Sequence, residues 1–291
     1  MKPPVFDYIA ATSLGMAVAA LAEAGGEAKV LAGGQSLMPM LNFRLLRPSV
    51  LVDINRISGL GFIEETPDSI RIGALTRHFQ LETSPLVARH FPVLSCAITH
   101  VAHLAIRNRG TIGGSLSHAD PAAELPMLAL LLNAELRIAS ASGSRAVAAR
   151  DFFLDTMTVA LDSAELLTEI VLPKLPPHTG WGFEEVARRH GDFALAAVAT
   201  TLTLSDGRIA GARIALTGVG PTALRATEAE TLLAGQKLDE ELTLRAIASV
   251  RAAISPETDL HASSDYRRHL AGVLAGRALA AAWRRAKEGA A

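Results

Sequence analysis

Two glycine pairs, each followed by a hydroxyl residue, are the groups in this chain best suited to hold a ligand. One stands in Ala32-Gly33-Gly34-Gln35-Ser36, the other in Thr111-Ile112-Gly113-Gly114-Ser115. Glycine allows φ > 0 and lets the backbone come within contact distance of a ligand, and successive N–H groups in such a turn form an anion-binding concavity. A serine hydroxyl beside those N–H groups gives a phosphate oxygen its partners without a Lys or Arg to neutralise the site. Two such concavities suit a diphosphate, so the chemistry indicated is dinucleotide binding between two loops. Just beyond the second loop, Asp120 and Glu124 stand around a proline. A carboxylate accepts hydrogen bonds from vicinal hydroxyls, so either can hold a ribose or ribityl diol. Asp120-Pro121 is equally a good helix start. Asp120 is expected to act as both cap and pocket wall, and Glu124 as a ligand contact.

Other motifs weigh less. Gly218-Val219-Gly220-Pro221-Thr222-Ala223 imitates the nicotinamide-dinucleotide fingerprint, but Pro221 removes an amide that would face the pyrophosphate. Residues 238–254 read as helix, so the second parallel strand and its acidic tip are also missing, and the segment reads as a structural turn. His100 and His103 could meet on one helix face, yet no third ligand stands at useful spacing and metal binding is not expected. No Gly-x-Ser-x-Gly elbow supports a Ser-His-Asp triad. Arg188-Arg189-His190-Gly191-Asp192-Phe193 is polar and turn-like, as a solvated hairpin corner would be.

The elements that must position the loops alternate helix and strand. Residues 13–24 read as a helix stopped by Gly25-Gly26, and 28–32 as a buried strand running into the first glycine turn. Residues 49–54 and 69–74 read as strands, 78–105 as mainly helix, and 135–139 and 169–172 as strands. Proline and glycine crowd residues 173–180, where the boundary between two domains, 1–176 and 177–291, is placed. Beyond it come a strand at 181–189, two strands around the hairpin signal Asp206-Gly207, and three helical pieces from about residue 223. The second domain is thus a small antiparallel sheet followed by helices, an α+β layout.

Composition bounds the partners. The 291 residues carry 28 basic and 29 acidic side chains, a net charge of −1, and only 4% aromatics. Neither an electrostatic field nor a stacking platform for nucleic acid is present. The N-terminal residues show no apolar signal core, and the longest apolar stretch, 125–134, is too short to span a bilayer, so a cytoplasmic protein without a transmembrane segment is expected. With Cys96 as the single cysteine, the chain can build no internal disulfide, four-Cys zinc site or all-thiolate iron–sulfur cluster.

The strings AGGQSLMPMLNFRLLRP, IRNRGTIGGSLSHADPAAELP, RRHGDFALA and GVGPTALRATEAE, in this order and over nearly the whole chain, resemble the medium, FAD-binding subunit of the molybdenum hydroxylases. The nearest branch is the aerobic carbon monoxide dehydrogenase type, related to the flavin domain of xanthine dehydrogenase. The resemblance implies an N-terminal FAD-binding domain of the vanillyl-alcohol-oxidase type, in two α+β subdomains. It also implies a C-terminal domain with a three-stranded antiparallel sheet and a helical bundle. Pyrophosphate loops fall on Ala32, Gly33, Gly34, Gln35 and Ser36 and on Thr111, Ile112, Gly113, Gly114 and Ser115. Glu124 takes the place of the diol-binding carboxylate, where relatives often have Asp. Lys29 occupies the position of a Lys before the first loop, Leu167 that of an apolar residue near the flavin, and Asp192 and Phe193 match the segment against the isoalloxazine ring. Glu184-Glu185 stand where many relatives have a Lys, and Gln35 replaces the His typical of carbon monoxide dehydrogenases.

The function so implied is an oxidoreductase subunit with no catalytic side chain and no metal of its own. A large molybdenum-cofactor subunit oxidises substrate, a small subunit with two iron–sulfur clusters passes electrons to the FAD here, and the flavin hands them to a quinone, NAD or oxygen. A dimer of heterotrimers is the expected assembly. Two other readings are a self-contained flavin reductase of the same fold using NADPH, and an assembly scaffold without FAD.

Overall fold

The hydroxyl of Ser13 accepts a hydrogen bond from Met16 N at 3.2 Å and starts α1 (Leu14–Glu23), which buries Ala17, Val18 and Leu21. The structure is a computed structural model that describes residues 2–289. Beside this helix β1 (Asp7–Ala10), β2 (Ala28–Leu31) and β3 (Val50–Asp53) form a parallel sheet in the order β1-β3-β2. The first glycine loop leaves the end of β2 and leads into α2 (Leu37–Asn42). Pro39 lies in the first turn of α2, where a missing N–H removes no intrahelical bond.

A second sheet is antiparallel throughout, in the order β4-β5-β10-β6-β7. Its strands are β4 (Ile63–Glu65), β5 (Ser69–Gly73), β6 (Glu135–Ser140), β7 (Gly143–Ala148) and β10 (Leu166–Pro173). Between β5 and β6 run α3 (His78–Thr83), α4 (Pro85–His90), α5 (Pro92–Ala97), α6 (Leu104–Arg107), α7 (Ile112–His118) and α8 (Glu124–Leu131). The helical stretch expected over 78–105 is therefore four short helices. Pro85 and Pro92 each bar helical geometry to the residue before them and restart the chain as a first helical residue. Helix α9 (Ala149–Phe152) and the hairpin β8 (Phe153–Asp155) with β9 (Thr158–Val159) complete this part.

The third sheet corrects one expectation. It has four strands, not three: β11 (Thr179–Ala187), β12 (Ala194–Ser205), β13 (Arg208–Thr217) and the two-residue β14 (Leu224–Arg225). Gly218, at φ 76, turns the chain so that Leu224 and Arg225 pair back on Leu216 and Ala215. The Gly-Val-Gly-Pro segment is thus a turn. Asp206 (φ 51) and Gly207 (φ 71) make the two-residue hairpin expected of an Asp-Gly pair. Helices α10 (Thr227–Leu233), α11 (Glu240–Ala252) and α12 (Ser264–Glu288) follow.

Alternation along β12 joins the layers. Ala196 and Val198 face the core shared with α12, whereas Ala197 and Ala199 face the core that contains α8. Helix α8, buried at all eight residues, is held between the second and third sheets, as expected of a helix apolar nearly all round. Glu124 is its one charged residue.

Candidate functional site

The first glycine loop meets, backbone to backbone, the residues that lead into the second. A Cβ on Gly33 would lie 2.6 Å from the carbonyl oxygen of Arg109 and 2.8 Å from Gly110 Cα, so only glycine permits this approach. Gly34 takes φ 71. In the second loop a Cβ on Gly113 would stand 2.5 Å from Ala74 Cβ, and the Thr111 hydroxyl accepts from Gly114 N at 3.2 Å. The first loop opens on a cleft of about 370 Å³ lined by residues 31–35, Met38, Pro39, Asp53, Asn55 and Arg109. That volume falls within the roughly 300–1,000 Å³ of small-molecule sites. Arg109 brings a cation to this wall. Asp53, the opposing charge, is already engaged by the Tyr8 hydroxyl at 2.6 Å and by Asn55 N at 2.8 Å. Burial works against the Asp53 charge, but these hydrogen bonds outweigh it and hold the carboxyl below its usual range. A Cβ-free cradle and a cation fit the diphosphate of a dinucleotide, while the Asp53 carboxylate is occupied by its own hydrogen-bond donors.

The structure gathers some predicted residues and separates others. Ala32, Gly33, Gly34 and Gln35 line the cleft, and the Gln35 amide donates to Gly33 O at 2.9 Å. Ser36 is exposed at the start of α2 and makes no capping bond. Thr111, Ile112, Gly113, Gly114 and Ser115 form the start of α7, with Ile112 and Gly113 buried, and do not line the cleft. Lys29 is exposed on β2, an edge strand, and does not line the cleft. Leu167 is buried within the main core on β10. Asp192 and Phe193 lie exposed on the loop between β11 and β12, Phe193 at 62% exposure.

Asp120 acts as a turn cap, its Oδ1 accepting from Ala122 N at 2.9 Å. Glu124 differs most from the expectation of an open diol ligand. Its side chain is buried where α8 meets β11, hydrogen-bonded with Glu185. Desolvation, reinforced by the charges of Glu185 and Asp120, pushes its carboxyl up to about 8. A proton on Glu124 supplies a donor to a neighbour whose Oε2 is otherwise buried without one. His100 Nδ1 approaches the other oxygen of Glu185 at 3.5 Å. The residue's position beneath the Asp120 turn is fixed by β13, since the Thr217 hydroxyl donates to Pro121 O at 2.8 Å and Ala123 O at 3.0 Å.

Sequence reasoning missed Asp53, Asn55, Arg77, Met38 and Pro39 around the first loop. Asp53 and Asn55 carried a usable signal, a polar pair at the C-terminal end of a buried parallel strand, where α/β ligands bind. Among the described residues no group of three or more His, Cys, Asp or Glu is placed to hold a metal, and no helix is long and apolar enough to cross a membrane.

Fold and site together define a two-part α/β protein with a glycine-walled cleft of the size and chemistry that a dinucleotide diphosphate requires. Residues 4–175 match the family model described as the FAD binding domain in molybdopterin dehydrogenase, and residues 181–282 match the CO dehydrogenase flavoprotein C-terminal domain. The chain is 43% identical to the 6-hydroxypseudooxynicotine dehydrogenase complex subunit alpha of Paenarthrobacter nicotinovorans, over 99% of this chain and 97% of the relative. It is 40% identical to the carbon monoxide dehydrogenase medium chain of Hydrogenophaga pseudoflava, over 98% and 99%. The solved carbon monoxide dehydrogenase of that organism superposes with a TM-score of 0.96 at 41% identity, covering 98% of this chain and 99% of the other. Quinoline 2-oxidoreductase from Pseudomonas putida 86 superposes with a TM-score of 0.93 at 40% identity, covering 98% and 99%. The chain belongs to the family of medium, FAD-binding subunits of the molybdenum hydroxylases. Relatives that match end to end are subunits of larger dehydrogenases, so the self-contained NADPH reductase gains no support.

Proposed function

We propose that this chain carries the flavin step of a three-subunit hydroxylase, with the FAD diphosphate in the cleft between the two glycine loops. The observation that carries the reading is the backbone contact of Gly33 with Arg109 and Gly110 at the cleft wall. It leaves main-chain N–H groups and one arginine as the anion's partners. FAD, when bound, accepts electrons from a partner and delivers them to an external acceptor. The chain's own residues bind and orient it: Ala32 to Ser36 and Thr111 to Ser115 around the diphosphate, Arg109 as the counter-charge. The exposed Asp192 and Phe193 face the ring system in this reading, whereas Leu167, buried in the main core, would lie near it only from beneath the surface. Glu124 reaches a diol only if its contact with Glu185 opens, and Lys29 would act at long range.

A division into 1–176 and 177–291, with the first part of vanillyl-alcohol-oxidase type, belongs to the same proposal. So do a large molybdenum-cofactor partner, a small partner holding two iron–sulfur clusters, a dimer of such heterotrimers and a cytoplasmic location. The single cysteine supports placing the clusters on another chain. Purification of the native complex tests this reading. Two copurifying subunits, with molybdenum and iron in the complex and one FAD per copy of this chain, are expected. A colourless complex, or rapid NADPH oxidation by this chain alone, would contradict it.

A further inference from the structure

Outside both glycine motifs, a side-chain bridge ties one loop to the other. Arg77, just before α3, donates through Nη1 to the carbonyl of Arg109 and through Nη2 to Asn55 Oδ1 at 2.7 Å. Asn55, just after β3, donates through Nδ2 to the carbonyl of Ala32 at 2.8 Å and to Asp53 Oδ1 at 2.7 Å. Asp53 is anchored in turn by Tyr8 on β1. Ala32 opens the first loop and Arg109 leads into the second, so the bridge spans the first and second sheets' subdomains and ends on a main-chain carbonyl at each side.

The chemistry of the bridge admits one arrangement. A guanidinium can only donate, which fixes the Asn55 oxygen toward Arg77 and leaves its NH₂ for two acceptors. Burial and the nearby Arg109 charge both work against the Arg77 cation, and the Asp53 carboxylate offsets them only in part. A diphosphate in the adjoining cleft offsets the repulsion that remains between the two guanidinium groups. The arrangement is therefore more favourable with an anionic ligand than without one.

We propose that Arg77 and Asn55 are positioning residues for the bound dinucleotide, holding the Ala32 and Arg109 carbonyls at the separation at which both loops address one diphosphate. This inference rests on the reading of the cleft as the FAD site. Arg77 acts through its planar fork, which a lysine cannot reproduce because a single ammonium does not present two coplanar donors.

Titration of the purified full chain with FAD, followed by quenching of flavin fluorescence, tests the proposal. Arg77→Ala, Arg77→Lys and Asn55→Ala are each expected to weaken FAD binding by about tenfold or more. The Asn55→Ala/Arg77→Ala double variant should be within about threefold of the weaker single variant, because one bridge is removed either way. Melting of the FAD-free variants should stay close to wild type, which a purely structural role would not leave unchanged. Wild-type affinity in folded Asn55→Ala or Arg77→Ala, with Gly34→Val abolishing binding, would overturn the proposal and leave the FAD site standing. So would full rescue by Arg77→Lys, or additive losses in the double variant. A wild-type chain that binds no FAD would overturn the site reading itself, and the bridge's role with it.

Discussion

Gly33 has no room for even a methyl group, because the space a Cβ would take is filled by the main chain of Arg109 and Gly110. Gly33→Ala is expected to push the loops apart and weaken FAD binding by about tenfold or more while leaving the remote C-terminal sheet folded; unchanged affinity in a flavin titration would count against the shared cradle. Glu124 gives a second residue-scale expectation. Its folded carboxyl titrates near 8, above its ordinary value of 4.5, so the folded state holds the extra proton. The associated stability is intact below about pH 4.5 and is lost as pH rises through 8. Urea unfolding midpoints should therefore fall over that window in the wild type and fall less in Glu124→Gln. Parallel curves would contradict the buried acid pair. The glycine pairs were legible in the sequence as motifs, and Gly34 for a local reason, its positive φ; that Gly33 and Gly113 are pressed against Arg109 and Ala74 was not, because those contacts are long-range. Glu124 was not, because its environment depends on Glu185, brought in from another sheet.

At the scale of elements, β11 and α12 pack closer than ordinary side chains allow. A Cβ on Gly180 or Gly182 would meet the main chain of Ala282 and Ala286, or of Ala278. Gly182→Ala should force the helix off the sheet and cost about 1–3 kcal/mol in denaturant unfolding; a neutral result would show that the helix shifts freely. The strand β13 has a comparable role toward the site. Thr217, fully buried, bonds two carbonyls of the 121–123 segment. Thr217→Val should lower stability by about 1–2 kcal/mol, read from the same unfolding curves. Capped helices and the Asp-Gly hairpin could be read from the sequence through local chemistry. The two-residue β14 could not, since nothing in Leu224-Arg225 specifies a strand until Gly218 returns it to the sheet edge. Pro85 and Pro92 break the stretch that reads as mainly helix, because each excludes helical geometry at the residue before it.

Across the whole molecule, β12 shows why the chain functions as one body: its alternate residues enter two cores, one with α8 and the second glycine loop's helix, the other with α12. The end-to-end likeness to medium subunits was readable in four strings, because they carry the turns and caps on which both loops depend. Which residues would line the cleft was less readable. Asn55 and Arg77 are far from either motif, and only the docking of a parallel sheet against an antiparallel one unites them at the loops. In the proposed reading the meeting of the first loop with the approach to the second makes the FAD site. Equilibrium titration of the full chain with FAD, wild type against Gly34→Val, tests it most directly. Gly34 sits at φ 71, where a valine is strained whatever space surrounds it. Saturable binding by the wild type and loss of affinity by about a hundredfold in the variant are predicted. Equal affinity in a folded Gly34→Val chain would contradict the account.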